Sequence, residues 1–318
     1  MIVTLTPNPS IDRTVGFREL HRGTVNRASS ARIDPGGKGV NVARALTAQG
    51  SAALAVLPEG GPEGHLMASL LDDAGVARRG VPIRESIRLN VTAVEPDGTT
   101  TKLNEPGPRL DEGEVRALLA AVGSVVAAAT GPVWVVGCGS LPPGAPADLY
   151  ARLIRSAREA GARVAIDSSG HPLRPAVAAG PDLIKPNRVE LEELVDAELT
   201  TLGDVIDAAR DLVADGIAMV AVSLGRDGAV LVDAAGATHA VATVERPRST
   251  VGAGDCLLAG LLHDLSVGRS PHDALRTGVW WGAAAVGMPG SRVPAPGDLD
   301  GIAVTVTTTP LRSLAVRD

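Results

Sequence analysis

The chain has 318 residues, 45% of them hydrophobic, with 30 Lys and Arg against 36 Asp and Glu and a formal charge of −6 at pH 7. An acidic chain without clustered basic residues is a poor ligand for the nucleic-acid backbone, and Phe17, Trp134, Tyr150, Trp280 and Trp281, only 2% of the sequence, offer no stacking platform for bases. Cys138 and Cys256 are isolated, which fits a reducing, cytoplasmic setting better than a disulfide scaffold. The start at Met1 lacks the basic and then apolar stretch of a secretory leader, and no apolar run reaches membrane-spanning length.

In chain order, short β-branched runs alternate with longer helical patterns. Strands are expected at Ile2 to Thr6, Ala52 to Leu57, Val133 to Val136, Val164 to Ile166, Leu183 to Ile184 and Met219 to Ser223. Helical stripes lie between them, at Val42, Ala43 and Leu46, at Leu66 to Ala74, and at Val205 to Val213. Alternation of this kind implies a mostly parallel sheet covered on both faces, an α/β fold in one domain spanning residues 1–318. Two segments break the rhythm, about Arg13 to Ile33 and Ile87 to Asn104. In the second, Val91 to Val94 and Thr101 to Leu103 flank the turn Pro96-Asp97-Gly98-Thr99, a hairpin pattern. The two segments are expected to form a small β-sheet lid.

Several motifs can carry chemistry, each with a plainer account beside it. Asp12 follows the first strand, where α/β sheets present ligand groups, and suits sugar hydroxyls; a solvated loop aspartate is the competing account. Gly36-Gly37-Lys38-Gly39 opens the helix Val40 to Gln49 but lacks the Walker A spacing. Its glycines permit close approach of a ligand, Lys38 offers a point charge, and Asn41 lies one turn on; a helix start with a solvated lysine fits equally. Arg88 and Asn90 share one side of a strand and form an anion clamp with an adjacent amide, unless they are ordinary exposed polarity. Asn187 and Glu190, three apart in Lys185-Pro186-Asn187-Arg188-Val189-Glu190, suit magnesium and its waters, or a capping box. Ser223-Leu224-Gly225 follows a strand as a ligand-facing loop. Finally, Ser249 to Asp255 is a glycine-rich turn opening an apolar helix. Gly252, Ala253 and Gly254 would aim free amides at an anion, with Asp255 beside it as a general base or merely as a helix cap.

No zinc-ligand spacing, no G-x-S-x-G elbow and no G-x-G-x-x-G after the first strand is present, which argues against a zinc enzyme, a serine hydrolase and a nicotinamide oxidoreductase.

Taken in order, these motifs, together with Asn8-Pro9, Pro106-Gly107-Pro108, Gly139-Ser140-Leu141-Pro142-Pro143-Gly144 and Asp167-Ser168-Ser169-Gly170, resemble the ribokinase-like, phosphofructokinase-B (PfkB) carbohydrate kinases over almost the whole chain. The resemblance implies a three-layer α/β/α sandwich with a small β-sheet lid, and many such proteins dimerise through that lid. It implies that Asp255 is the catalytic base and that Gly252, Ala253 and Gly254 form the anion hole. Asp12, Gly37, Lys38, Asn41, Arg88, Asn90 and Ser140 would hold a sugar phosphate. Lys185, Asn187, Ser223 and Gly225 would line ATP, with Asn187 and Glu190 organising Mg2+ through water. Relatives often carry asparagine at the position of Met288, near which a monovalent cation is also expected. Within the family, the phosphofructokinase and tagatose-6-phosphate kinase subgroup is the nearer match. Lys38 favours phosphorylation of fructose 1-phosphate, whereas Pro58 to Gly64 and Ile166 to Gly170 look like a 6-phosphofructokinase. A sugar-phosphate sensor without catalysis is the alternative of another class.

Overall fold

Strand β1 (Ile2–Leu5) is buried at every position, as a central parallel strand covered on both faces must be. The computed structural model describes residues 1–316. After β1 the chain leaves the main sheet for β2 (Ser10–Gly16) and β3 (Ser30–Gly36), then returns through α1 (Lys38–Ala48), β4 (Ala53–Glu59), α2 (Gly61–Asp73) and β5 (Ala77–Pro82). A second excursion makes β6 (Arg88–Val94) and β7 (Thr100–Asn104). The rest is α3 (Glu112–Ala128), β8 (Trp134–Cys138), α4 (Leu149–Glu159), β9 (Arg163–Asp167), α5 (Leu173–Ala178), β10 (Leu183–Ile184), α6 (Arg188–Val195), α7 (Leu202–Ala214) and β11 (Met219–Ser223). It closes with β12 (Ala229–Asp233), β13 (Gly236–Ala242), α8 (Ala253–Ser266), α9 (Pro271–Val286) and β14 (Val304–Thr307).

Among the described residues the main sheet runs β14-β13-β12-β11-β10-β9-β8-β1-β4-β5, parallel from β11 to β5 and antiparallel through β12, β13 and β14. The sequence pattern located the parallel strands but not β5 or the antiparallel edge. In β5 and β13 the apolar run is interrupted by Arg78, Arg79, Thr238 and His239, and β14 is a short edge strand, whereas β12 is apolar from Ala229 to Val232 and was legible.

Alternation divides each strand between two cores. Val3, Leu5, Val135, Val164, Ile166, Val220 and Val222 face α3, α4 and α7. Ile2, Trp134, Val136, Ala165, Ala221, Ala229 and Ala240 face α1, α8 and α9. The alanines on the second face, Ala229 and Ala240 among them, leave room for α9 to lie close to β12 and β13, and α8 packs against α9 and α1. Gly260 and Gly278 then let α8 and α9 touch backbone to backbone, since a methyl group on Gly278 would come within 2.7 Å of the Leu257 carbonyl. That packing fixes where the first turn of α8 points.

The lid is the sheet β3-β2-β6-β7. Asp12 belongs to it: it lies within β2 rather than in a loop after the first strand, and pairs in register with Asn90. Register also places Asp12, Thr14, Asn90, Thr92, Arg32 and Asp34 on one face. The opposite face carries Ile33, Val15, Val91 and Leu103, with the exposed Arg13 between Ile33 and Val91. The expected turn at Pro96 to Thr99 closes the β6–β7 hairpin through bonds from Glu95 to Thr99 and from Gly98 to Glu95.

Candidate active site

Gly252 is the N-cap of α8 with φ of 80°, a left-handed conformation that favours glycine, and no side chain caps the helix. First-turn amides have no carbonyl partner within a helix, so those of Gly254 and Asp255 remain available. Asp255 lies in that turn, only 7% exposed, yet it does not cap it. Its Oδ2 instead accepts a 2.8 Å bond from Asn41 Nδ2. The helix-cap account of Asp255 is therefore set aside. Burial pushes the Asp255 carboxyl up to about 6; the nearby Asp167 charge adds to this, and the Asn41 bond with Lys38 and Lys185 partly offsets it.

Beside α8 sits a cluster of fixed charges. Lys185, 4% exposed at the end of β10, reaches Asp167 Oδ2 at 3.0 Å. Lys38 Nζ reaches Asp167 Oδ1 at 2.7 Å and Glu190 Oε1 at 3.6 Å. Burial by itself would lower the Lys38 pKa and raise that of Asp167. Their mutual attraction, with Glu190 acting on Lys38 and Lys185 on Asp167, more than reverses both shifts, so the lysine is held well above its ordinary range and the carboxyl below its own. A methyl group on Gly254 would lie 3.5 Å from Lys185 Nζ, which places this ammonium over the free amides of α8. Asp167 carried no role beyond its motif in the sequence reading. Its position at the C-terminal end of an expected strand, like that of Lys185, was the available signal.

The capping box at Asn187 and Glu190 is present in full: Glu190 N donates to Asn187 Oδ1 and Asn187 N donates to Glu190 Oε2, each at 2.8 Å. The two accounts of this motif are compatible, because the box uses one carboxylate oxygen and leaves Oε1 facing Lys38. Asn187 also bridges in parallel to Ser223, and Gly225 (φ 58°) begins the short turn Gly225–Asp227. His239, missed by the sequence reading, braces that turn through a 2.8 Å contact between Nε2 and the Asp227 carbonyl.

Across from these groups, Asn90 Nδ2 and Ser10 Oγ both donate to Asp12 Oδ1, at 3.1 and 2.7 Å. Arg88 donates to the Asn8 carbonyl at 3.1 Å, and Asn8 Nδ2 reaches Ser140 Oγ at 3.4 Å. Gly37 (φ 109°) packs against Thr6 and Pro9. Thr6 Oγ1, Asn8 Oδ1, Arg88 Nε and Asn90 Oδ1 are buried without partners, as expected of polar groups prepared for a polar ligand. The cations, the free amides and the spare Glu190 oxygen form a donor set that fits a nucleotide polyphosphate with magnesium, which needs only one or two protein oxygens.

Comparison with known proteins bears on the family. The model of the pfkB family carbohydrate kinases matches residues 5–297. The chain is 39% identical over 98% of both chains to 1-phosphofructokinase of Rhodobacter capsulatus. It is 37% identical over 92% of its own length and 94% of the relative's to ATP-dependent 6-phosphofructokinase isozyme 2 of Escherichia coli. The crystal structure of phosphofructokinase-2 from E. coli with substrates and products superposes with a TM-score of 0.87 at 35% identity, over 94% of this chain and 96% of that one. A ribokinase from Thermotoga maritima shares the fold, at TM-score 0.75 and 19% identity. With a family model spanning nearly the whole chain and full-length relatives well above 30% identity, the chain belongs to the pfkB family of carbohydrate kinases and is an ATP-dependent sugar kinase.

Proposed function

We propose that the chain is a 1-phosphofructokinase, transferring the γ-phosphoryl group of ATP to fructose 1-phosphate to give fructose 1,6-bisphosphate. The observation that carries this reading is the buried Asp255 carboxylate at an uncapped helix start, flanked by Lys185 and by Lys38. The glycolytic and tagatose-type acceptors are the neighbouring possibilities. The name of the R. capsulatus relative, at 39% identity, and Lys38 itself support the 1-phosphate acceptor.

Bound ATP with its divalent metal supplies an electrophilic phosphorus whose oxygens gain charge as transfer proceeds. Asp255, through the oxygen not held by Asn41, takes the proton of the attacking hydroxyl; an O–P bond forms and the bond to ADP breaks. Gly252, Ala253 and Gly254 form the turn of the anion hole, where the Gly254 and Asp255 amides are free while that of Ala253 bonds the Thr250 carbonyl at 3.3 Å, and Lys185 and Lys38 add positive charge where the transferring group becomes more anionic. Glu190, with Asn187, would hold a divalent metal through water, and the capping bond keeps the carboxylate in place. Asp12 and Asn90 bind sugar hydroxyls, and Gly37, Arg88 and Ser140 hold the sugar phosphate. Ser223 and Gly225 line the nucleotide. A monovalent cation beside the loop at Met288 belongs to the same reading, and the E. coli phosphofructokinase-2 has been crystallised with potassium. The assembly is a homodimer formed by the apolar lid faces. Among the described residues no helix is long and apolar enough to cross a membrane.

An assay of ADP release with fructose 1-phosphate, fructose 6-phosphate, tagatose 6-phosphate and ribose tests the assignment. Fructose 1-phosphate is expected to give the highest kcat/KM. A higher value for any other acceptor would reassign the substrate, and no ATP consumption with any of them would favour a silent sensor.

A further inference from the structure

Arg44 follows Asn41 by one helical turn in α1, on a helix otherwise apolar around it. Its Nη1 lies 3.1 Å from Asn41 Oδ1, 3.1 Å from the Pro35 carbonyl and 3.2 Å from the Ser291 carbonyl. Each of these three acceptors adjoins a different part of the site. Asn41 donates its Nδ2 to Asp255. Pro35 is the penultimate residue of the lid strand β3 and lies just before the turn at Gly37. Ser291, 6% exposed, has its Cα 4.0 Å from where a methyl group on Gly252 would stand, behind the anion hole. The catalytic and substrate assignments already made leave Arg44 unused.

We propose that Arg44 is a positioning residue for the catalytic base, acting through Asn41. The carboxamide of asparagine can present either end to a neighbour. By engaging Oδ1, the guanidinium leaves Nδ2 as the end that meets Asp255, and this holds one carboxylate oxygen while the other remains free for the acceptor hydroxyl. The same cation also bonds the Pro35 carbonyl of the lid strand and the Ser291 carbonyl to the helix that carries Asn41. All three contacts fall on the single nitrogen Nη1, which has two N–H bonds to share among them, and the ammonium of a lysine, one atom shorter on its stem, stands short of that point.

This proposal rests on the assignment of Asp255 as the base, and a double-mutant cycle with a control separates the two. Arg44→Met is expected to lower kcat about tenfold to hundredfold, the range of a bond to a charged group, with KM for ATP within about twofold of the parent. In an Asn41→Ala background the same change is expected to cost less than about twofold, because the route to Asp255 is already cut. Arg44→Lys keeps the charge and should recover only part of kcat; it also serves if the methionine variant does not fold. Equal losses from Arg44→Met with and without Asn41, or kcat within about twofold of the parent in both Arg44 variants, would overturn the positioning role. Asp255→Asn supplies the control: if it is inactive while the cycle is additive, only the role of Arg44 fails, whereas a fully active Asp255→Asn would remove the reading beneath it.

Discussion

Asp255 shows how one carboxylate trades stability for chemistry. The folded protein holds it at a pKa of about 6, above the ordinary aspartate value near 4, so the charged form is disfavoured by folding. The resulting sign is definite: Asp255 is neutral and without penalty below about pH 4, and the protein loses stability as pH rises through about 6. Activity has the opposite dependence, because a general base must be ionised. We expect kcat/KM to fall about tenfold per unit below pH 6, and Asp255→Asn to lower kcat by about 10²–10⁴-fold. The same variant should melt higher than the parent at pH 8, with the difference vanishing near pH 4. Thermal unfolding across that range checks this, and a variant less stable than the parent at pH 8 would contradict the assigned shift. Asp255 was legible in the sequence because a glycine-rich turn before an apolar helix is a local pattern. Arg44 was not, since its acceptors at Pro35 and Ser291 lie up to 247 residues apart in sequence from it.

At the scale of elements, the start of α6 serves two purposes with one side chain. Glu190→Gln keeps an acceptor for the Asn187 amide but removes the charge facing Lys38. The Mg2+ concentration for half-maximal rate should therefore rise at least several-fold, with stability changed by less than about 1 kcal/mol, the scale of a helix cap. Titration of activity with Mg2+ alongside a melting curve separates the two effects; a large drop in melting temperature with unchanged magnesium demand would mean the residue serves the helix alone. The α8–α9 contact makes a different prediction. Gly278→Ala inserts a methyl group against the Leu257 carbonyl and the Leu261 side chain, and overpacking of this kind costs about 1–3 kcal/mol. Because α8 carries the proposed anion hole, chemical denaturation should show that loss together with a fall in kcat. Sequence periodicity located α8, but it could not show that Gly278 faces another helix's backbone, because that depends on how the two helices cross.

Across the whole molecule, the lid stands apart from the main sheet with a polar face toward the site and an apolar face outward. Ile33 and Leu103 on the outer face are 39% and 64% exposed in one chain. Apolar surface of this kind marks an interaction site, and a second copy presenting the same face would bury it. On the proposed lid-to-lid dimer, Ile33→Asp with Leu103→Asp should sediment as a monomer where the parent sediments as a dimer, and should raise KM for the sugar phosphate, since the opposite face of those strands carries Asp12 and Asn90. A double variant that sediments like the parent would place the interface elsewhere. Arg32 adds a link from the lid to the loop after α9, donating to the Pro289 carbonyl at 3.4 Å.

The amino-acid order by itself determined the alternation of strands and helices, the hairpin at Pro96 to Thr99, the glycine turn before α8 and the run of motifs that marks the family, because each depends on neighbours within a few residues. Only the tertiary structure decided that Asp12 sits inside a lid strand opposite Asn90, that Asp167 pairs with both Lys38 and Lys185, and that Arg44 stands behind Asn41. Those relations join residues brought together by strand register and helix packing. Periodicity assigns a side chain to a face of its own element, but the partner it meets there is set by how the layers stack.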